Sequence, residues 1–431
     1  MKRKEFYLIF IFTAFSSCLQ SPEMTTGIVN GKEEPTVVTG QISPFTDGDG
    51  NLVFQGEITS KGKSDIIEKG FYWSTVSNDP GINDSIVVLS DTSSGIFTYE
   101  LQRASGEQTY YWRAYAKNSF GCDSGKVQSC QTPVIWGAEQ DFPPDSQGGG
   151  AIFLLNNRIY MACGLKNLGN GVFVDKTWEY NTTSNQWSQA DSISFPGANR
   201  SYPVVFTIGN LAFVGTGRQA ATLACNDFYQ FDADSRRWTE IATPDNLEAR
   251  YGAAAFSLSG NGYVIGGSSF VGYSSIPLND VWQYNPNQDS WEKKNDFPVN
   301  FSGGISISDN NRAFVGFGDV AESNRTLWEY IPTTDSWNEF AQLPDKEVTK
   351  IYSGVIVQNT IYIVDENNSI WALNMSDTTW TQKSDLPSEF LIESNGEGGN
   401  QNLITSGNSN TIYVGLGFSK LLYQYNPLWD N

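Results

Sequence analysis

AFVGTG…DFYQFDADSRRW, residues 212–238, decides the reading of this chain because it recurs. Residues 262–291 read GYVIGG…DVWQYNPNQDSW, and residues 313–337 read AFVGFG…TLWEYIPTTDSW. Upstream, RIYMACG…KTWEYNTTSNQW occupies 158–187; downstream, IYIVDE…SIWALNMSDTTW occupies 361–380. A sixth copy, IYVGLG…LLYQYNPLWDN, ends before its tryptophan strand. The closing tryptophans Trp187, Trp238, Trp291, Trp337 and Trp380 are 51, 53, 46 and 43 residues apart. A period near 50 marks a repeat architecture. Each copy holds about four short strands of alternating polarity, which predicts a four-stranded antiparallel sheet. One such sheet cannot bury its apolar face alone, so the copies stack radially as blades. The missing fourth strand of copy six lies upstream. Val134-Ile135-Trp136 precedes Asp141-Phe142-Pro143 much as Trp291 precedes Asp296-Phe297-Pro298, and Trp136 is 51 residues before Trp187. Pairing of this segment with residues 422–425 would close the ring and remove its exposed edges. The expected fold is all-β with six blades.

The repeat resembles the kelch repeat, with a small-residue or Gly-Gly doublet after strand two, an aromatic pair in strand three and a Trp in strand four. Gly266-Gly267 is the full doublet; Cys163-Gly164, Thr216-Gly217, Phe317-Gly318 and Leu416-Gly417 keep the second glycine, and copy five has Asp365-Glu366. The resemblance covers about residues 134–431 and implies a six-bladed kelch-type β-propeller. It implies a fold more than a function, because propellers host many activities.

Residues 1–18 read as an export signal, with basic Lys2, Arg3 and Lys4, an apolar run over 6–15 and a lipobox Phe15-Ser16-Ser17-Cys18. The run is too short to span a bilayer. Lipidation is expected on Cys18; the alternative is an ordinary cleaved signal. Leu19-Gln20 carries no aspartate, which favours lipid anchoring at the outer membrane, exposed at the surface. Residues 19–34 read as a polar tether.

Residues 35–133 change to short alternating strands at sandwich spacing. Gly70-Phe71-Tyr72-Trp73-Ser74 and the run TYYWRAYAKN from Thr109 resemble the fibronectin type III-like modules of Bacteroidetes surface proteins. That resemblance implies an immunoglobulin/fibronectin III-like β-sandwich acting as a spacer. No CxxC spacing exists, and Cys122 and Cys130 are read as buried free thiols, a bridge between them being the alternative.

The chain has 47 acidic and 27 basic residues, a formal charge of −20, and no histidine. The charge argues against nucleic acid and anionic membrane as partners. The missing histidine excludes a Ser-His-Asp triad, an imidazole metal site and the copper centre that the galactose oxidase propeller requires. No cofactor or metal is expected, and a closed ring reads as a monomer.

In a four-stranded blade, the loop leading into strand one and the loop between strands two and three emerge on one face. Thirteen residues before the strand-two aromatics Phe213 and Tyr263 lie Arg200 and Arg250; the other copies have Gln147, Phe301, Thr349 beside Lys350, and Asn400. The kelch resemblance implies that arginines here face the channel mouth, where their forks could hold a carboxylate. The alternative is that they satisfy loop carbonyls or pair with Glu248. Tyr202, Tyr251, Tyr273 and Lys350 complete the candidate ligand-binding set, since exposed aromatics stack on sugar rings. Long strand 2–3 loops in copies one and three, against almost none in five and six, predict an asymmetric groove. Asp365 and Glu366 replace the doublet of copy five and are candidate general bases, the alternative being a solvated acidic turn. That layout resembles the bacterial sialate mutarotases. Two readings follow: a non-catalytic surface lipoprotein whose propeller binds a glycan or protein, or a sugar mutarotase or epimerase working through these charged residues.

Overall fold

The computed structural model describes residues 32–40, 51–102, 104–143, 147–166, 172–174, 176–189, 193–309, 311–320, 325–343, 348, 350–390, 402–404, 410–417 and 419–430. The export signal, Cys18 and most of the tether lie outside the described residues. The described chain is β-structure with almost no helix. It divides into two compact units, one up to Ile135 together with Leu428–Asn431, the other Trp136–Pro427.

The first unit holds two antiparallel sheets, Thr36–Gly40, Leu52–Ser60 and Gly95–Leu101 in one, and a five-stranded sheet built on Glu68–Ser74 and Thr109–Lys117 in the other. They share a core in which Phe54 stacks on Trp112 at 5.0 Å. Two expectations need correction. Cys122 is a free thiol but an exposed one, whereas Cys130, Cys163 and Cys225 are free and buried. The C-terminal residues 428–430 do not belong to the propeller: Trp429 is buried in this first core, and its carbonyl accepts the Gly106 N–H at 2.8 Å.

The second unit is a ring of six four-stranded antiparallel sheets. Blades one to five span 151–189, 204–241, 254–294, 305–342 and 351–382. Blade six takes Asn402–Ile404, Ile412–Gly415 and Leu422–Tyr425, with Trp136–Ala138 as its outer strand. The innermost strands of successive blades touch, and the sixth touches the first.

One cross-strand pair recurs in every blade. The second aromatic position of strand three faces the strand-four tryptophan: Tyr180–Trp187, Phe231–Trp238, Tyr284–Trp291, Tyr330–Trp337, Leu373–Trp380 and Tyr425–Trp136. The five aromatic pairs have ring centroids 4.5–5.1 Å apart. Each such pair contributes about 0.5–1.5 kcal/mol beyond its buried area. The tyrosines also cap the hairpin that follows: Tyr284 donates to Asp289 at 2.9 Å and Tyr330 to Asp335 at 2.8 Å.

The doublet after strand two has a backbone cause. Its first residue is left-handed in five blades, at φ +60° for Cys163, +54° for Thr216, +57° for Gly266, +56° for Phe317 and +55° for Leu416. A side chain survives there at about 1–2 kcal/mol. The second position is stricter. Gly164, Gly217 and Gly267 sit at φ +100°, +108° and +92°, and their N–H groups donate to the carbonyls of Arg200, Arg250 and Phe301 in the next blade at 2.7–2.8 Å. A Cβ would lie 2.7 Å from the Gly148 carbonyl, 3.0 Å from that of Ser201 or 2.9 Å from Ala253 Cβ. In blades one to three the second glycine is therefore the required one, and the sequence keeps it in every copy but the fifth.

Gly217→Ala should destabilise the propeller by at least about 2 kcal/mol, from backbone strain plus a carbonyl contact. Gly209→Ala, at φ +59° with open space around its Cβ, should cost only about 1 kcal/mol. Denaturant unfolding of both variants checks the ordering.

Candidate functional site

The loops leading into strand one and the strand 2–3 loops share one face of the ring, tied together by backbone bridges Ser201–Arg218, Cys225–Arg250, Tyr251–Ser268 and Leu278–Phe301. Around the inner rim the N–H of Tyr202 donates to the Gly149 carbonyl (2.6 Å), that of Gly252 to Tyr202 (3.3 Å) and that of Gly303 to Gly252 (2.8 Å). Backbone hydrogen bonds thus join blades one to four along this rim.

Arg200 and Arg250 are on this face but do not reach its surface; both are 0 % exposed. Arg200 grips Asp227 with both terminal nitrogens (2.6 and 2.9 Å), and also donates to the carbonyls of Ala198 (2.8 Å) and Thr216 (3.0 Å). Arg250 repeats this with Asp280 (2.5 and 2.8 Å) and the carbonyls of Glu248 and Gly266 (both 2.9 Å). The expectation that the two forks jointly hold a ligand is corrected: each is committed to a carboxylate of its own blade. Burial pushes Asp227 and Asp280 up, but the hydrogen bonds and charge of their arginines outweigh it and hold both below the usual carboxylate range.

The repeats themselves carried the signal for this. Strand register equates Asp227 and Asp280 with Lys176, Thr326, Ser369 and Leu421. The blades that lack arginine at the 200/250 position lack the aspartate too. A buried guanidinium without its carboxylate would be strongly disfavoured, so the two come and go together.

Asp365 is also removed from the surface, at 1 % exposed. One oxygen accepts the N–H groups of Asn367 (2.8 Å) and Ser369 (2.9 Å), and the other accepts the Trp371 indole N–H (3.0 Å). Asp280 accepts the equivalent Trp282 indole at 2.7 Å. In blade five the carboxylate reaches the same indole from strand two instead of strand three. Asp365 is a turn-forming group, and its expected role as a base facing solvent is corrected. Its neighbour Glu366 is half-buried, with its N–H on the Lys350 carbonyl at 3.1 Å. Lys350 Nζ is 3.6 Å from Asp319 and 5.8 Å from the centre of the Tyr352 ring. Burial, then the charges of Glu366, Asp365 and Asp319, push the Tyr352 phenol up.

The tyrosines fare differently. Tyr251 stacks on Phe270 with centroids 5.1 Å apart and planes 19° apart, and its hydroxyl shares a hydrogen bond with Ser275 Oγ at 2.9 Å. The Arg218 guanidinium lies 5.6 Å from the Tyr251 ring centre and 5.7 Å from that of Phe270. Tyr202 holds a left-handed backbone at φ +54°. Tyr273 is 97 % exposed, at the tip of the long hairpin formed by Asn261–Val271 and Ser274–Asn285. Phe270, with Tyr273, is one of the loop aromatics the sequence offers for stacking on a sugar, whereas Arg218 was not singled out from sequence. The ten residues from Arg218 to Asp227 form a strand 2–3 loop as long as those of blades one and three, and that length was the available clue.

The wall expected on one side of the mouth is described in part. Blade one contributes Leu165–Lys166 and Val172–Phe173, blade two Arg218–Ala220 and Leu223–Ala224, and blade three the long hairpin. A charged recess of about 300 Å³ lies elsewhere, on the outer edges of blades three and four, where Lys293 and Lys294 face Asp296 and Asp335. Among the described residues no three Cys, Asp or Glu side chains gather as a metal site.

Residues 149–364, 216 of 431, match the family model described as the KLHDC2/KLHL20/DRC7 Kelch-repeats domain. Among curated proteins, the chain is 27 % identical over 165 residues to a putative F-box/kelch-repeat protein of Arabidopsis thaliana, covering 38 % of this chain and 44 % of that protein. It is 26 % identical over 228 residues to Kelch domain-containing protein 10 of Rattus norvegicus, covering 48 % and 55 %. It is 29 % identical over 172 residues to the N-acetylneuraminate epimerase of Vibrio cholerae, covering 32 % and 43 %. The chain spans about half the length of the curated relatives it matches.

Arg200→Phe alone should destabilise by about 3–5 kcal/mol, since it strands Asp227. Adding Asp227→Thr recreates the Phe301/Thr326 combination of blade four and should recover most of that loss in denaturant unfolding. Because Asp227 and Asp280 are depressed in the folded state, their contribution is complete above the unfolded value of about 3.9 and is lost as pH falls through the native one. Asp227→Asn with Asp280→Asn should therefore flatten the acid limb of a Tm-versus-pH curve.

Proposed function

The chain belongs to the KLHDC2/KLHL20/DRC7 Kelch-repeats domain family, and on that premise we propose that its propeller is a non-catalytic binding module for a glycan. The carrying observation is the half-exposed Tyr251–Phe270 stack on the loop face, beside Tyr202 and the exposed Tyr273. Flat aromatic faces next to hydroxyl and backbone groups suit sugars, whose axial C–H surfaces are apolar and whose rims are hydroxyls. A glycan panel titrated against the whole chain tests this. Tyr251→Ala should weaken any saccharide that binds by tenfold or more. Binding of none would turn the reading towards a protein ligand.

The second reading, a sugar mutarotase or epimerase, is favoured by the similarity to the N-acetylneuraminate epimerase. With Asp365, Arg200 and Arg250 committed inside their blades, its remaining candidate base is half-buried Glu366, beside Lys350, Asp319 and Tyr352. NMR of anomeric exchange separates the readings. Exchange accelerated by the wild type and abolished by Glu366→Gln would establish catalysis; binding without acceleration supports the module.

The further setting we propose is an outer-membrane lipoprotein anchored through Cys18 and exposed at the surface. Its first unit, fibronectin III-like, would act as a spacer, and the protein would be monomeric, without cofactor, metal or nucleic-acid partner. Cys18→Ser should move the protein from the membrane fraction to the soluble fraction and abolish labelling by a radiolabelled fatty acid.

A further inference from the structure

Arg218 differs from Arg200 and Arg250, the arginines of the neighbouring blades on the loop face. Arg200 and Arg250 are buried on carboxylates, and Arg158, Arg236 and Arg312 also pair with glutamates. Arg218 is half-exposed. Its Nε donates to the Ala220 carbonyl (3.1 Å) and its Nη2 to that of Ala221 (3.0 Å), and it has no carboxylate among the described residues. These two bonds fix the guanidinium while leaving its Nη1 hydrogens uncommitted. The stacked Tyr251 and Phe270 rings lie together on one side of the cation, at 5.6 and 5.7 Å, and shield that side from water.

Tyr202 supplies an independent sign. The equivalent rim positions of blades one, three and four are Gly149, Gly252 and Gly303, at φ +63°, +63° and +70°. Blade two keeps a tyrosine in the same left-handed backbone, at φ +54°, a conformation that L side chains rarely adopt. Burial pushes its phenol up, with the charge of Arg218 acting the other way, so the hydroxyl stays protonated and able to donate at neutral pH. A strained side chain beside an unpaired, pre-oriented cation is the arrangement expected where a ligand supplies the missing partner.

We propose that Arg218 and Tyr202 form a carboxylate-binding subsite adjoining the Tyr251–Phe270 stack, so that the preferred ligand is an acidic saccharide. The inference rests on the glycan reading above and adds its selectivity. A planar guanidinium edge matches the two oxygens of a carboxylate, and the flanking rings accept the pyranose that carries it. The formal charge of −20 repels anions at long range, so such a ligand would be held by these direct contacts and not by the field of the protein.

The test titrates the full chain with two matched pairs: sialyllactose against lactose, and trigalacturonate against its carboxyl-reduced form. In at least one pair the acid should bind ten times more tightly or better. Arg218→Gln should remove that preference to within twofold, and Tyr251→Ala should weaken both members. Because Arg218 also ties down its hairpin, Tyr202→Phe provides a second variant, expected to weaken only the acid, by three- to tenfold. Equal binding of acid and neutral sugar by the wild type, or an acid preference that survives both variants, overturns the subsite and leaves the glycan reading standing. Binding of neither member of either pair overturns both.

Discussion

The propeller depends on one contact made six times, the strand-three side chain facing the strand-four tryptophan. It fixes the outer strand of each blade in register, because a slip of one residue would turn every tryptophan to the opposite face. Its sixth copy, Tyr425 with Trp136 at 4.5 Å, joins segments almost 290 residues apart in sequence and so closes the ring. The indoles extend the contact between neighbouring blades where Trp187, Trp291 and Trp380 donate to the carbonyls of Gln140, Ala242 and Gln342 at 2.7–2.8 Å.

Within this frame, the blades solve the same local problem with different residues. Blades two and three bury an arginine on an aspartate beneath the strand 2–3 loop. Blade four has Phe301 and Thr326 there, and blade five brings Asp365 to the Trp371 indole from another strand. The charged residues most suggestive of chemistry in the sequence are thus largely structural. A buried ion keeps its charge only if its partner is buried with it, and each of these is satisfied at home.

The proposed ligand site falls where the repeat rules are relaxed. Tyr202 keeps a side chain where three blades have glycine, and Arg218 has a guanidinium with only carbonyl partners. Tyr251 and Phe270 present paired rings on the loop face, beside the rim of backbone hydrogen bonds that joins blades one to four. Their shared place over blades two and three gives the loop face a specialised side. The long hairpin of blade three carries Tyr273 out from that side.

The sequence by itself determined the six blades, the closing strand at Trp136 and the glycine kept at the second doublet position in every copy but the fifth. These rest on periodic packing and local backbone geometry, which repeat with the residues that cause them. It also placed Tyr202, Tyr251, Tyr273, Lys350 and Glu366 on loops of one face. What only the tertiary structure decided is which polar side chains were already occupied. Arg200, Arg250 and Asp365 look available in one dimension, but their partners Asp227, Asp280 and Trp371 arrive on other strands of the same blade. Arg218 has the same chemistry and no such partner among the described residues. The difference lies in burial and pairing across strands, and so it appears only when the blade is folded.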